Sequence, residues 1–202
     1  MEDFVIFIII SFFQCTSFCV MRTGRAIRFC IFFLLPFLVS CSILKKKSKP
    51  YEYGWVPKDF TEIEKHYNSY ANLYKCQPGE TIASVGAGNG KFELTISCFV
   101  QGIDWYLEDI DSSRLNQFNQ VQSHFEKLKG SSVDGQFHLV LGSESETGLP
   151  HNYFDRVLMI NVYHEIRNRG PVMEDIKKIL KPEGVLVVME RMGHKPGEKH
   201  GD

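Results

Sequence analysis

Two kinds of hydrophobic pattern divide the chain near residue 50. Before it, residues 4 to 20 and 29 to 44 are almost continuously apolar. After it, apolar positions recur with the spacing of helices and strands, and charged residues become frequent. The roughly 150 residues that follow are enough for one domain. We therefore predict one folded domain, residues 51 to 202, behind a hydrophobic leader, residues 1 to 50.

Strands and helices alternate through the predicted domain. Apolar residues spaced by three and four predict an opening helix that Asp59 and Glu62 cap. Short β-branched runs predict five strands, at residues 81–87, 105–110, 136–143, 154–161 and 184–191. Three more helices are predicted, at residues 91–100, from Ser112 or Ser113 to Phe125, and at 171–180. The alternation predicts an α/β fold with a Rossmann-like, doubly wound, mostly parallel sheet.

The leader has the residue order of a secretory signal peptide. Met21 offers a second start, three arginines follow it, and an apolar stretch ends at Ser40. Leu38-Val39-Ser40-Cys41 resembles the lipobox of bacterial lipoproteins, in which the cysteine becomes the lipidated first residue. On this interpretation residues 1 to 20 precede the true start, and the protein is membrane-associated through Cys41. The alternative is an uncleaved membrane anchor, although both apolar segments are at or below the lower limit of a bilayer span.

The net charge and the cysteine positions argue against nucleic-acid binding and against a metal site in the domain. Residues 1 to 50 carry seven Lys and Arg and two acids, a net charge of +5. The whole chain has a net charge of −1, so residues 51 to 202 have a net charge of −6. An acidic domain is not expected to bind nucleic acid, because that affinity depends on neutralising phosphates. Four of the six cysteines lie in the leader, which leaves Cys76 and Cys98. No cysteine and histidine spacing predicts a metal site.

The most informative segment is a glycine turn, Val85-Gly86-Ala87-Gly88-Asn89-Gly90, between the first predicted strand of the domain and its helix. Glycines allow a sharp turn and the close approach of a ligand, and the helix that follows offers unpaired amides. The spacing is GxGxG, not the GxGxxG of dinucleotide binders. Asp109 follows Gly90 by 19 residues, at the carboxyl end of the next strand. There an acid accepts hydrogen bonds from ribose hydroxyls.

Over residues 55 to 200 the chain resembles the class I S-adenosylmethionine-dependent methyltransferases of the small-molecule type. Four stretches carry the resemblance: ASVGAGNG (83–90), LEDIDSSRL (107–115), GLPHNYFDRVLMINVYHEI (148–166) and LKPEGVLVVMER (180–191). The resemblance implies S-adenosyl-L-methionine as the cofactor and a small molecule as the methyl acceptor. It also implies these cofactor contacts: Gly86, Ala87, Gly88 and Gly90 around the methionine and ribose, Asp109 on the ribose hydroxyls, Ser143 and Glu144 near the adenine, and Asn161 near the sulfonium.

The chain departs from the family pattern in two places. Ser84 stands where the family usually has an acid that helps to organise the methionine end of the cofactor. The resemblance also implies seven strands, the last two forming a C-terminal hairpin, whereas five are predicted here. The sheet is therefore expected to end after the fifth strand, with residues 184 to 190 as an exposed apolar edge.

Two residues after the fourth predicted strand are candidates for catalysis. His164 lies on the ligand side of the sheet, and histidine is the residue type whose charge changes near neutral pH, so His164 is the candidate base, with Tyr163 beside it. Each also has a structural interpretation, as a histidine bonded to the adjacent loop and as a packed ring. Two other functions stay open: a membrane-tethered domain that keeps the fold without turnover, and an NAD-type oxidoreductase. Sequence alone does not identify the methyl acceptor or the oligomeric state.

Overall fold

The computed structural model of the protein describes residues 5–11 and 56–191, which belong to one compact unit. The strands are β1 (Val5–Ser11), β2 (Thr81–Val85), β3 (Asp104–Asp109), β4 (Gln136–Leu141), β5 (Phe154–Ile160) and β6 (Leu180–Arg191). The helices are α1 (Phe60–Tyr74), α2 (Lys91–Ser97), α3 (Ser112–Leu115), α4 (Phe118–Lys129) and α5 (Arg169–Ile179).

The strands form one sheet in the order β1-β6-β5-β2-β3-β4. The five strands from β2 to β6 are parallel neighbours. From β2 the chain moves outward through β3 to β4, and it then returns to the other side of β2 with β5 and β6. The strand order therefore reverses between β2 and β5, and ligands bind at such a point outside the carboxyl ends of the strands. The predicted Rossmann-like fold is confirmed.

Helices cover both faces of the sheet. On one face α5 packs against alternate residues of the parallel strands, and its buried core includes Val157, Met159, Ile176 and Leu186. On the other face α1, α2 and α4 contact one another. Trp105 of β3 faces this second layer, since its Nε1 donates to Ser97 Oγ of α2 at 2.7 Å. These layers bury the middle of the sheet and leave the carboxyl ends of its strands for the site.

The expected exposed edge at residues 184 to 190 is wrong, because β1 covers it. β1 runs antiparallel to β6 in a continuous register from Val5 opposite Arg191 to Ser11 opposite Val185. An unpaired edge leaves a row of N–H and C=O groups without partners, and the β-branched run VIFIII is well suited to pair with it. Part of the predicted leader thus lies beyond the fifth predicted strand, where the resemblance implies a C-terminal hairpin.

The predicted signal segment from Met21 to Cys41 lies outside the described residues. Within residues 5–11 and 56–191, no helix combines the length and apolar character that crossing a bilayer requires.

Helix starts agree with the sequence prediction at α1 and differ at α3. Asp59 caps α1 as predicted, since its Oδ1 accepts from Glu62 N at 2.9 Å. The single helix predicted from Ser112 or Ser113 is instead two helices, α3 and α4, and neither serine is the cap. Asp111 caps α3, because its Oδ1 accepts from Ser113 N at 2.9 Å. A carboxylate one residue earlier bonds the free N–H of the first turn more strongly than a hydroxyl.

The pairing of β1 can be tested with two proline variants at adjacent positions. Neighbouring residues of a strand direct their N–H groups to opposite sides, so only one of Phe7 and Ile8 donates to β6. Proline has no N–H to donate. We expect Phe7→Pro and Ile8→Pro to differ in free energy of unfolding by roughly 1 to 3 kcal/mol, the cost of one unsatisfied backbone partner. Chemical unfolding of both variants measures this difference, and equal values would contradict the pairing.

Candidate functional site

A cavity of about 430 Å³ opens at the carboxyl ends of the parallel strands, beside the point where the strand order reverses. Its volume is in the range of small-molecule sites. The ends of β2 and β3, the loops after β4 and β5, and α5 supply its walls. The lining includes five of the residues predicted to bind the cofactor: Gly86, Asp109, Ser143, Glu144 and Asn161. It does not include Ala87, Gly88, Gly90, Tyr163 or His164.

The glycine turn is fastened to β3 through its own backbone. Gly88 N donates to Asp109 Oδ2 at 2.8 Å, Gly86 N to Glu108 Oε2 at 3.3 Å, and Ala87 N to Glu108 O at 2.9 Å. The amides of these three residues are therefore occupied within the protein. Carboxylates at the end of β3 bind two of the amides first, because the two strands are neighbours and end at the same edge.

The three glycines of the turn have different reasons to be glycine. A Cβ on Gly86 would collide with the Val162 side chain, and one on Gly90 would collide with side chains of β3 and α4. These two positions are set by packing within the protein. Gly88 has a φ of +61° and no atom within 4 Å of the place where its Cβ would stand. Gly88 is therefore the position of the turn with room for another molecule.

Asp109 holds the turn and also faces the cavity. Its side chain is 5% exposed. Oδ2 accepts from Gly88 N, and Oδ1 accepts from Asp111 N at 2.8 Å. Each carboxylate oxygen can accept two hydrogen bonds, so each retains one acceptor position. Asp109 can thus bind two hydroxyls of a ligand without releasing the turn.

Glu108 also lines the cavity, and the sequence analysis missed it. Its side chain is 3% exposed and lies so close to Gly142 that any Cβ there would collide with it. Burial, with a smaller contribution from the nearby Asp109, raises the pKa of Glu108 to about 8, although the hydrogen bond from Gly86 N opposes this rise. At neutral pH the Glu108 carboxyl is therefore mostly neutral and can donate a hydrogen bond. Two adjacent acids at the end of a strand were the available signal.

Hydrogen bonds hold the loop after β4 where it meets the cavity. Ser143 Oγ accepts from Glu146 N at 3.0 Å, and Ser143 N donates to Glu146 O at 2.8 Å. Further along, the Thr147 N–H and hydroxyl both donate to Asp175 Oδ2 of α5, at 2.8 and 2.7 Å. The loop is thereby fixed to α5, with Glu144 exposed on the cavity wall.

The loop after β5 places the two catalytic candidates beside the cavity, not in its lining. Asn161 lines the cavity with a φ of +53°, and its N–H donates to Met189 O at 2.7 Å. His164 is half-exposed, and its Nδ1 lies 2.6 Å from Glu190 Oε2. The Tyr163 ring lies 4.8 Å from the Arg169 guanidinium carbon. Their roles in catalysis therefore stay predictions.

Within the part of the chain that the structure describes, no cluster of three or more histidines, cysteines or acids has the arrangement of a metal site.

The cavity contains two arginines that the sequence analysis did not select, Arg114 and Arg167. No spacing rule pointed to them, because each follows a different strand.

The raised pKa of Glu108 predicts how stability depends on pH. The pKa is about 8 in the folded protein and 4.5 as the ordinary value, so between these values the folded state holds a proton that the unfolded chain has released. The Glu108 contribution to stability therefore falls as the pH rises through this range. We expect Glu108→Gln to gain roughly 1 to 3 kcal/mol relative to the parent between about pH 5 and pH 8.5.

Chemical unfolding across that pH range measures the effect. Glu144→Gln, at an exposed carboxyl on the same cavity wall, is the matched control and should follow the parent. A Glu108→Gln variant with the parent's pH dependence would show that the Glu108 carboxyl is ionised in the folded protein.

Comparison with known proteins identifies relatives of this site. A family model described as a methyltransferase domain matches residues 83–188. The chain is 30% identical over 115 residues to the ubiquinone/menaquinone biosynthesis C-methyltransferase UbiE of Vibrio cholerae. This alignment covers 56% of this chain and 42% of that enzyme. The chain therefore spans about two fifths of the length of the curated relatives that it matches.

Solved structures share the fold. An S-adenosylmethionine-dependent methyltransferase from Aquifex aeolicus has a TM-score of 0.52 and 20% identity, over 71% of this chain and 79% of that one. Coclaurine N-methyltransferase, solved with N-methylheliamine and S-adenosylhomocysteine, has a TM-score of 0.50 and 15% identity, over 62% of this chain and 35% of that one. The family match extends from β2 to β6 and includes every residue that lines the cavity. The chain therefore belongs to the methyltransferase-domain family.

Proposed function

We propose that this chain is an S-adenosylmethionine-dependent methyltransferase that acts on a small molecule. The observation that carries the proposal is the cavity at the reversal of strand order, where Asp109 both holds the glycine turn and keeps acceptor positions for hydroxyls. The family match and the name of the UbiE relatives support methyl transfer. Both favour this activity over an NAD-type oxidoreductase.

The residues around the cavity suit the cofactor's chemistry. When bound, S-adenosylmethionine supplies an electrophilic methyl group on a positively charged sulfonium. The lining contains two arginines, Arg114 and Arg167, and six acids. Glu108 is mostly neutral, but the other five acids outnumber the arginines and favour a cationic ligand: Asp109, Asp111, Glu144, Glu146 and Glu165. In this proposal Asp109 accepts from the ribose hydroxyls, Ser143 and Glu144 border the adenine, and Asn161 lies near the sulfonium. Gly88 provides room for the methionine part.

Methyl transfer is an in-line displacement, so the protein mainly holds the donor and the acceptor in attack geometry. His164 is the proposed base for an acceptor that must lose a proton. Its neighbours Val162 and Glu165 line the cavity. With Nδ1–H donating to Glu190, Nε2 is the atom that receives the proton, an orientation that carboxylates commonly impose on catalytic histidines. Tyr163 supports the same loop through its contact with Arg169.

Membrane attachment through Cys41 is the proposed localisation, and the order of residues in the leader supports it. Cleavage before Cys41 would remove Val5–Ser11, the strand that covers β6. A lipidated mature chain and the paired β1 therefore exclude each other in the same molecule.

Calorimetric titration of the full chain with S-adenosylhomocysteine tests the proposed activity. We expect micromolar binding by the parent. Asp109→Ala should weaken it by about 1.5 to 3 kcal/mol for each hydrogen bond that the carboxylate makes to the ribose. Asp134→Ala is the matched control, because Asp134 Oδ1 also accepts from a glycine, Gly102 N at 2.6 Å, but does not line the cavity.

Absence of binding by the parent would contradict the proposed activity. Equal binding by Asp109→Ala and Asp134→Ala, with a parent that binds, would contradict only the ribose assignment.

Mass spectrometry of the N-terminus tests the proposed localisation. A lipid-modified Cys41 as the first residue of the membrane-bound protein is the expected result. Detection of the intact, unmodified terminus at Met1 would contradict lipidation and agree with a retained β1.

A further inference from the structure

Two buried side chains, Ser84 and Glu93, hydrogen-bond to each other where the glycine turn joins its flanking elements. Ser84 belongs to β2 and Glu93 to α2, which are the two elements that the turn connects. Ser84 Oγ donates to Glu93 Oε1, and both residues are only 1% exposed. The bond therefore fixes the end of β2 relative to the start of α2 on either side of Gly86, Gly88 and Gly90.

The Glu93 carboxyl is only half satisfied. Among the described residues, Oε2 is buried and has no hydrogen-bond partner, and the same is true of the Tyr74 hydroxyl of α1. A buried polar atom without a partner is costly and requires an explanation other than stability. An apolar side chain of similar size would avoid this cost. Stability alone therefore does not account for a carboxyl at position 93.

The charges that act on Glu93 connect it to the cofactor site. Burial raises the pKa of Glu93 to about 7, and the hydrogen bond from Ser84 and the positive charge of Lys91 oppose this rise. The negative charge of Asp109, whose carboxylate accepts from Gly88 N, also raises the pKa of Glu93. Glu93 also interacts electrostatically with Tyr74, whose buried hydroxyl is the other group without a hydrogen-bond partner described above. The two carboxyls on either side of the glycine turn thus interact.

Ser84 is also the departure from the family pattern, because the resemblance implies an acid at this position of β2. We propose that Glu93 is a positioning residue for cofactor binding, and that it supplies from α2 the carboxyl that position 84 lacks. Through Ser84 it sets the shape of the glycine turn that receives the methionine end of the cofactor. Relative to the family pattern, the carboxyl then stands on α2 and a hydroxyl takes its place on β2, so the site still contains the carboxyl. This inference rests on the proposed function.

The test measures binding and stability of the full chain separately, with S-adenosylhomocysteine as the probe. Glu93→Leu removes the carboxyl and retains its bulk. We expect its melting temperature to change little, because the loss of a half-satisfied buried carboxyl offsets the cost of the Ser84 hydroxyl that is left without its acceptor. We expect its affinity to fall about tenfold or more, which corresponds to the loss of one hydrogen bond involving a charged group. A purely structural residue would instead lower both quantities together.

The double variant Ser84→Glu with Glu93→Ser returns the carboxyl to β2 and keeps the pair. It should bind within about threefold of the parent, since one hydroxyl and one carboxyl remain in contact. Thr95→Val is the control, because Thr95 is equally buried on α2 but bonds its own helix, Lys91 O, at 2.7 Å. Its affinity should equal the parent's.

Three results would overturn the inference. They are parent-like affinity in Glu93→Leu, loss of affinity in proportion to loss of stability, and a folded double variant that fails to bind. A parent that does not bind S-adenosylhomocysteine is a different failure, because it removes the proposed function itself.

Discussion

The hydrogen bond from Gly88 N to Asp109 Oδ2 joins the two parts of the molecule on which the site depends. It connects the end of β3 to the turn between β2 and α2, so it sets both the path of the turn and the opening of the cavity. A nearly buried carboxylate requires such donors, and Gly88 N and Asp111 N supply them. Because one acceptor position remains on each oxygen, the carboxylate that holds the turn is also able to accept hydrogen bonds from a ligand.

At the end of β3, neighbouring acids have different environments because their side chains point in different directions. Glu108 and Asp109 are adjacent and leave the strand on opposite sides. Glu108 is buried against Gly142, where burial raises its pKa to about 8, whereas Asp109 accepts hydrogen bonds from two backbone N–H groups. Asp111, two residues further, caps α3. One short acidic stretch therefore provides a neutral carboxyl, the carboxylate that holds the glycine turn, and a helix cap.

Short β-branched runs predicted five of the six described strands, and five of the residues expected to bind the cofactor line the cavity at the carboxyl ends of those strands. β1 escaped prediction because a continuous apolar run has no period, so a strand, a buried helix and a signal segment give the same pattern. The pair of Ser84 and Glu93 escaped because its members lie on different elements, nine positions apart, and only folding brings them together. The same holds for His164, which follows β5, and Glu190, which lies in β6.

The pairing of β1 with β6 also has a consequence for the order of synthesis. Ser11 pairs with Val185, 174 positions later (185 minus 11). At cellular rates of translation the interval between them is roughly 9 to 35 seconds. During that time the newly made chain carries an apolar, β-prone segment whose partner does not yet exist, and such segments associate readily with other chains. β1 therefore leaves the ribosome long before its partner β6, and a chaperone or a membrane surface that binds β1 during this interval would influence what fraction of the chains forms the β1–β6 pair.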